Sequence, residues 1–570
     1  MTVYDIVSKL NSAGIKVWVD DGQLKLKAPK GAMTKALKDE IVANKSELIQ
    51  FLPSVQAATK QEDIIPVVSR DGDLALSYAQ QRMWFLAQLE PGNTAYHIRT
   101  ALEISGELNV DALQQAIKKL INRHESLRTT FSEIDGIPSQ TIHQDVGFCL
   151  QFHTLKGSAI EEVFTAFVDD PFDLTSSALF RVGLVSQENN KHVLMIAMHH
   201  IISDGWSAAV MVRELSSLYA TSVSGEANTL PPVNIQYVDF AYWQKSWLAG
   251  EKEKLQLDYW TKQLKDVSVL ELPADSARPP VKRPVGSVVS FKIKTNVVEN
   301  AKHIAKQKNA SIFMVLLSAF NAFLYRYTGQ VDFSVGTPIA NRANAQLEGT
   351  LGLFVNTLAM RTPFKEKVTF LDYVSHVRAT ALDAYDHQDI PFERIVDVLG
   401  VSRDMSHTPV FQVMFVLQNT PGGTKITLPG VTVELLNIER NTSPMDITMT
   451  LVEEADGSIS GELEYSTDLY SRNTANQMCA HYVSYLESVS DNPTQTITDV
   501  DYLSVEEKQN LLGRHNEANL RNVGSTNSTK LTLDGWFEDV AARYSDHIAI
   551  TDGSDSISYD ELNRKANVLA

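Results

Sequence analysis

The stretch "HVLMIAMHHIISDGWS", His192 to Ser207, decides how this chain is read. Its apolar half, within "KHVLMIAM", reads as a buried strand. The run stops at two adjacent histidines, His199 and His200, and Asp204 and Gly205 follow. Neighbouring residues at a strand end point to opposite faces, so the two rings cannot easily serve one metal ion together. The His-x-Glu and CxxC spacings of zinc enzymes are absent. Two readings of the pair stay open: both rings are satisfied core histidines, or one is packed while the other looks into a cavity. Asp204 and Gly205 weigh against the first. Their spacing suits a tight loop, in which glycine permits close approach and a carboxylate holds the loop or pairs with a cation.

Around this stretch the chain has 570 residues, 44% hydrophobic and 21% charged, the balance of a globular protein with several cores. No run of roughly eighteen apolar residues suggests a membrane span. The opening "MTVYDIVSKLNSAG" lacks the basic flank and apolar block of a secretory signal. Two cysteines, Cys149 and Cys479, make neither a disulfide framework nor a zinc site by themselves. The expected compartment is the cytoplasm. A net charge of −18 argues against nucleic acid as a partner, which would need clustered Lys and Arg. The charge is uneven: residues 1–53 carry eight lysines against six acidic residues, a net +2, which leaves −20 for the rest. A mildly basic head on an acidic body hints that the head has its own partner.

The head, residues 1–53, reads as an independent unit. Val3, Ile6, Val7 and Leu10 fall at helical spacing, and Gly14 ends that helix. "KVWVDDGQLKLKAP" alternates around an Asp-Gly turn, with Val17, Val19, Leu24 and Leu26 on one face of a hairpin. "MTKALKDEIVANKSELIQFL" predicts a closing helix. The polar stretch from 54 to 71 reads as a linker. From Leu76 to about Val500, strands and helices alternate in an α/β region large enough for two lobes, 72–240 and 241–505. "ALQQAIKKLINRHESLRTTF", "WSAAVMVRELSSLYATSV" and "SIFMVLLSAFNAFLYRYT" each predict a helix. Residues 506–530 read as a second linker. Residues 531–570 begin a new helix–strand–turn–helix pattern too short for a stable domain, so the chain is expected to be part of a longer one.

"MHHIISDGWS" resembles the HHxxxDG signature of condensation domains of nonribosomal peptide synthetases. Six further stretches resemble that family's other motifs, in family order: "LSYAQQRMWFLAQL" (Leu76–Leu89), "RHESLRTTF" (Arg123–Phe131), "YVDFAYWQ" (Tyr237–Gln244), "LGLFVNTLAMR" (Leu351–Arg361), "HQDIPFERIV" (His387–Val396) and "RDMSHTPVFQVMF" (Arg403–Phe415). Residues 1–52 resemble an N-terminal docking domain of the TubC type. "LDGWFEDVAARYSDHIAITDGSDSISYDELNRKANVLA" resembles the opening of an adenylation domain, without its nucleotide-binding motifs.

The resemblance implies a chloramphenicol acetyltransferase-like pseudo-dimer of two α/β lobes in a V, with the site in a tunnel between them. It implies amide formation between two substrates carried on 4′-phosphopantetheine arms of donor and acceptor peptidyl carrier proteins. A thioester donor is already activated, so no Ser or Cys nucleophile is needed, and no G-x-S-x-G elbow is present. What remains is positioning, management of the amine proton and stabilisation of an oxyanion. By resemblance His200 faces the tunnel, as a base or as a positioning partner, with His199 in support. Asp204 is implied to be structural, paired with Arg342 of "TPIANR". Gly205 sits where a side chain would narrow the donor path. Trp206, Ser207 and Asn356 are substrate-tunnel candidates.

Arg123 and Arg128 read as salt-bridge residues, and "FAYWQ" as a helix packed at the lobe interface. The HH pair, where a heterocyclising relative carries aspartates, and the lack of histidine between Asp63 and Leu76 favour an ordinary domain taking an L-configured donor. A D-configured donor, or an idle module that only recruits carriers, is the alternative. In the head, the "GQLKLKA" edge, with Leu24, Lys25, Leu26 and Lys27, is expected to accept a strand from the tail of an upstream synthetase subunit.

Overall fold

The structure, a computed structural model, describes residues 64–510 and 533–569 with brief interruptions, and in the head residues 16–20, 23–27, 38, 41 and 45. Residues 1–502 and 503–570 are separate compact units. The first expected helix of the head and the 511–532 stretch lie outside the described residues. In the head, strands Lys16–Asp20 and Gln23–Lys27 pair antiparallel, with Val17 opposite Leu26, Val19 opposite Leu24 and Asp20 opposite Gln23. That register leaves two residues for the loop, as the Asp-Gly signal requires. Lys25 is exposed and Leu26 is 42% exposed. Positions 38, 41 and 45 are helical, with Ile41 buried between two exposed lysines, Lys38 and Lys45. The unit 503–570 contains helix Leu533–Arg543, strands Ile548–Asp552 and Asp555–Ser558, and helix Tyr559–Leu569, so a second strand stands where a single strand and a turn were expected.

The strand predicted from the opening stretch spans Lys191–His199 and lies centrally in a five-stranded sheet. The order is Val431–Leu435, His97–Gly106, Lys191–His199, Phe180–Ser186, Gln151–His153. Both faces of the strand are covered. Leu194, Ile196 and Met198 enter one apolar core, with Leu113, Leu120 and Phe131. Val193, Met195 and Ala197 enter another, with Phe164, Phe167 and Ala101. Burial on both sides explains why the run is continuously apolar rather than alternating.

The second lobe is built on a six-stranded mixed sheet: Gly286–Ile293, Ile459–Ser466, Ile447–Glu453, Val413–Gln418, Ser334–Ile339, Asn356–Arg361. Helix Ile312–Thr328 runs through its core, with Val315, Leu316, Leu317, Phe320 and Leu324 fully buried. It is capped by Ser311, whose Oγ accepts from Met314 N–H, and closed by left-handed Gly329. No single helix among the described residues is long and apolar enough to cross a membrane.

Two expected boundaries need correction. The lobe limit at 240 falls inside helix Tyr237–Trp247, whose Tyr237, Phe240 and Ala241 belong to the first lobe's core. Strand Val431–Leu435, from the second lobe's sequence, pairs with His97–Gly106 in the first lobe's sheet. A single cut along the sequence misses the second, because the chain returns after hundreds of residues to complete a sheet edge.

The linker expected over 54–71 is also shorter than its polarity suggested. Ile65 is 2% exposed in the first core, and its N–H donates to Gln346 Oε1 (3.3 Å). Val68 N–H donates to buried Asp239 (2.8 Å), and Arg70 grips the same carboxylate through both terminal nitrogens (2.6 and 3.0 Å). Arg70 Nε also reaches both oxygens of Glu125 (3.2 and 3.0 Å). A polar composition here reflects ion pairs with the lobe rather than solvent.

Candidate active site

The site grows out of the strand end. His199 closes the strand, and His200–Ile202 form one turn of 3-10 helix. His200 N–H donates to Tyr96 O (2.9 Å), the next rung after the His97–His199 pair. His199 falls on the Met195–Ala197 side, 4% exposed, edge-on to His97 (5.9 Å between centroids) and Phe172 (6.4 Å). Its Nδ1 accepts from Ile201 N–H (3.1 Å), so the ring proton sits on Nε2. Burial drives its pKa down to about 3, and His97 and His200 oppose a charge there too. His199 is therefore a neutral, packed support.

His200 is half-buried, and its Nδ1 is buried without a hydrogen-bond partner. Burial holds this ring below the ordinary histidine value, with Asp204 pulling the other way. The turn carrying it packs under helix Tyr78–Leu89, whose Gln80 reaches Ile201 O (3.5 Å). The same helix meets the second lobe through Arg82 and Glu393 (2.8 Å). An uncharged imidazole with an uncommitted nitrogen beside a lobe boundary is able to exchange a proton or a hydrogen bond with a bound group.

Asp204 behaves differently. It caps helix Gly205–Ser224, Oδ1 accepting from Ser207 N–H (2.8 Å). Oδ2 accepts from Phe354 N–H (2.9 Å) and Val355 N–H (3.2 Å), and Arg342 Nη2 lies 3.3 Å from Oδ1. Arg342 Nη1 donates to Leu347 O (2.5 Å) and Thr350 O (2.6 Å), and its guanidinium stacks on Phe354 (3.9 Å). The side chains of this pair are 1% and 2% exposed. Its partners pin the crossing segment 342–356 to the first lobe. The Asp204–Arg342 pairing read from the sequence is present in the structure.

Of the remaining candidates, Gly205 is exposed, and a Cβ there would meet nothing within 4 Å. Trp206 is half-buried and donates Nε1–H to Glu348 O (3.0 Å). Ser207 and Asn356, expected along a substrate path, are both buried and hydrogen-bonded to neighbouring groups, and Asn356 lines a small pocket with Tyr237, Phe354 and Pro391. Ser207 Oγ donates to Gly352 O (2.9 Å) and accepts from Gly352 N–H (3.1 Å) and Arg342 Nη2 (2.9 Å). Asn356 donates to Gln388 O and Ile390 O (both 2.9 Å) and accepts from Phe392 N–H (3.1 Å) and Thr357 N–H (2.9 Å). Short polar side chains near the ends of helices and strands look alike in sequence whether they meet ligand or backbone.

The motif stretches converge on this crossing. Ser77 Oγ pairs with Tyr237 OH (2.7 Å), and Tyr237 OH donates to Leu353 O (2.6 Å). A Cβ at Gly352 would lie 1.9 Å from the Tyr237 ring, so only glycine fits. Ser126 Oγ donates to Leu351 O (2.6 Å). Arg123 pairs with Glu214 (2.9 Å), and Arg128 lies beside Glu125 (3.9 Å), the salt-bridge roles read for them. Tyr237, Gly352 and Tyr96 escaped sequence reasoning, although Gly352 and Tyr237 lie inside quoted motifs. Among the described residues, no group of three or more His, Cys, Asp or Glu could hold a metal ion.

The condensation-domain family matches residues 70–512, and the TubC N-terminal docking domain matches residues 3–53. The chain belongs to the condensation-domain family, whose members in nonribosomal peptide synthetases form amide bonds by acyl transfer. Its fold is the two-lobed, chloramphenicol acetyltransferase-like α/β fold of solved condensation domains. It is 38% identical over 535 residues to one component of the linear gramicidin synthase of Brevibacillus parabrevis, covering 92% of this chain and 10% of that protein. One component of the plipastatin synthase of Bacillus subtilis (strain 168) is 40% identical over 497 residues, 87% of this chain and 19% of that one. The chain thus spans a tenth to a fifth of the length of these two relatives. The X-domain from teicoplanin biosynthesis, solved in complex with OxyB, matches with a TM-score of 0.70 at 27% identity, covering 77% of this chain and 98% of that chain.

Proposed function

We propose that residues 72–505 join a donor acyl group to an acceptor amine, each delivered as a thioester on the 4′-phosphopantetheine arm of a peptidyl carrier protein. The observation that carries this is His200: a neutral imidazole with a free buried nitrogen, held at a fixed strand end. The acceptor nitrogen attacks the donor carbonyl. His200 takes a hydrogen bond or a proton from that nitrogen, the carbon–sulfur bond breaks, and the proton ends on the departing thiolate. No covalent enzyme intermediate is required. Trp206 and Gly205, at the start of the helix beside His200, are the site candidates not closed off by packing.

The donor in this reading is L-configured, with a D-configured donor as the alternative. Through Leu24–Lys27 the head receives the tail of an upstream synthetase subunit, and residues 531–570 open an adenylation domain. The work takes place in the cytoplasm. The test is incubation of the full chain with two loaded carriers, followed by mass spectrometry of the thioester product with L- and D-donors. A product from the wild-type chain that is lost in His200→Ala supports the reading.

A second reading has one specific support: the 27% identical X-domain was solved bound to OxyB, so this fold also serves as a platform for another protein. Carrier binding without any product would favour that role.

A further inference from the structure

We infer that His97 is a positioning residue for His200, acting through His199 and through the strand end that both histidines share. The inference rests on the amide-forming role of His200 proposed above.

His97 opens strand His97–Gly106 and faces His199 directly across the antiparallel ladder. It is 7% exposed, too deep to be a chance surface neighbour. Its Nδ1 lies 2.7 Å from Val168 O, and a carbonyl only accepts, so Nδ1 carries the ring proton. That bond fixes the ring plane. With the plane fixed, His97 packs edge-on to Phe172 (4.8 Å) and to His199 (5.9 Å), and Phe172 packs edge-on to His199 in turn (6.4 Å). Arg181 closes the cluster from outside, its guanidinium 4.0 Å from the Phe172 ring centroid. Three rings thus hold one another, and two of them have a single tautomer.

The consequence for His200 is geometric. The residue before His97, Tyr96, supplies the carbonyl that takes the His200 N–H (2.9 Å). The residue before His200, His199, supplies the Nδ1 that takes the Ile201 N–H (3.1 Å). The turn presenting His200 is therefore clamped on one side by the backbone beside His97 and on the other by the ring that His97 buttresses. A loosened His97 would let the turn slide, and small displacements of a reacting group reduce rates strongly.

Charge supports the same role. Burial holds His97 and His200 below the ordinary histidine value, and His199 far below it. The charged groups facing His97 are Arg181, Arg99 and Asp169, those facing His200 are Asp204 and Arg82, and the histidines oppose one another at His199. A proton taken by His97 opposes one on His199, so the cluster stays neutral under the ring that does the chemistry.

The experiment compares the full chain with His97→Phe, which keeps a ring but loses the donor, and His97→Asn, which keeps a donor for Val168 O. Two readouts are taken: acceptor kcat and KM with two loaded carriers, and NMR titration of the histidine Cε1–H signals. The expected result for His97→Phe is a kcat about tenfold lower at unchanged KM. His97→Asn should recover kcat to within about twofold of wild type. In both variants the His199 and His200 signals should shift, and His199, which His97 helps to hold neutral, should titrate at higher pH. An unchanged kcat in folded His97→Phe, with only the melting temperature lowered, makes His97 merely structural and overturns the inference. If the wild-type chain forms no amide, the proposed chemistry has failed. Unmoved His199 and His200 signals in both variants would then overturn the positioning role as well, and shifted signals would sustain it.

Discussion

Asp204 and His200 are four residues apart and live under opposite rules. Asp204 has its oxygens filled by three backbone N–H groups and a buried arginine, and every partner is fixed by packing. His200 is half-buried with a nitrogen left open. A carboxylate removed from water must be fully paired, because an unpaired buried charge costs several kcal/mol. A neutral imidazole tolerates an empty position at a lower cost than an unpaired charge does. The contrast shows how one short motif can hold both a structural knot and a reactive group.

The largest expected effect falls on the reactive side. His200→Ala should lower amide formation by about two to four orders of magnitude, measured in single turnover with two loaded carriers. Its unfolding free energy should fall by no more than about 1 kcal/mol, since the ring is only half-buried and its Nδ1 has no hydrogen-bond partner to lose. A large loss of stability would place His200 with Asp204 on the structural side.

Next comes the knot. Asp204→Ala strands Arg342 in a buried site, at a cost of roughly 3–5 kcal/mol in denaturant unfolding. Arg342→Ala should do the same from the other side. If Asp204→Ala unfolded at the wild-type midpoint and lost only turnover, the two residues would not differ in kind.

The strap from 65 to 71 extends the structural side of the comparison. Arg70→Ala leaves Asp239 with only Val68 N–H and Gln236 N–H, and should cost about 1–3 kcal/mol. Chains trimmed to begin at 72 should melt below chains that begin at 64.

The histidine side has its own signature in pH. The folded chain keeps His199 neutral down to about pH 3, whereas the unfolded chain protonates it near 6.5. The unfolded state therefore binds more protons between those values, and stability falls as pH drops through that window. For His199 alone the slope is roughly 1.4 kcal/mol per pH unit, and lowered values at His97 and His200 add in the same direction. Chemical unfolding of wild type and His199→Asn at pH 7, 6 and 5 should show a shallower decline in the variant.

The smallest effect belongs to the head. Charge reversal at Lys25 and Lys27 should weaken binding of an acidic upstream tail by about 1 kcal/mol or less per site, and more at low salt. Isothermal titration against C-terminal peptides measures this. Binding indifferent to both charge and salt would leave the lysines as solubilisers of the strand edge.

Much of this protein is legible without coordinates. The apolar run into His199 is a strand because its burial on both faces is written as unbroken hydrophobicity, and the helices after Asp204 and Ser311 begin where capping side chains stand. The head's hairpin follows from a two-residue Asp-Gly loop and a period of two. The link from Asp204 to Arg342 was legible through family resemblance, and the structure gives its reason in the shared burial of both side chains.

Other features depend on which distant segments meet. Strand Val431–Leu435 completes the first lobe's sheet, Ile65 leaves an apparent linker for the core, and His97 faces His199 across a ladder. Ser207 and Asn356 have the composition of ligand-facing residues, and only their neighbours show that backbone groups occupy them. Local sequence specifies periodicity, caps and turns, because those interactions span a few residues. Whether a polar atom finds a carbonyl, a charge or an open position is decided by chain segments tens to hundreds of residues away, brought together by the burial of the two cores.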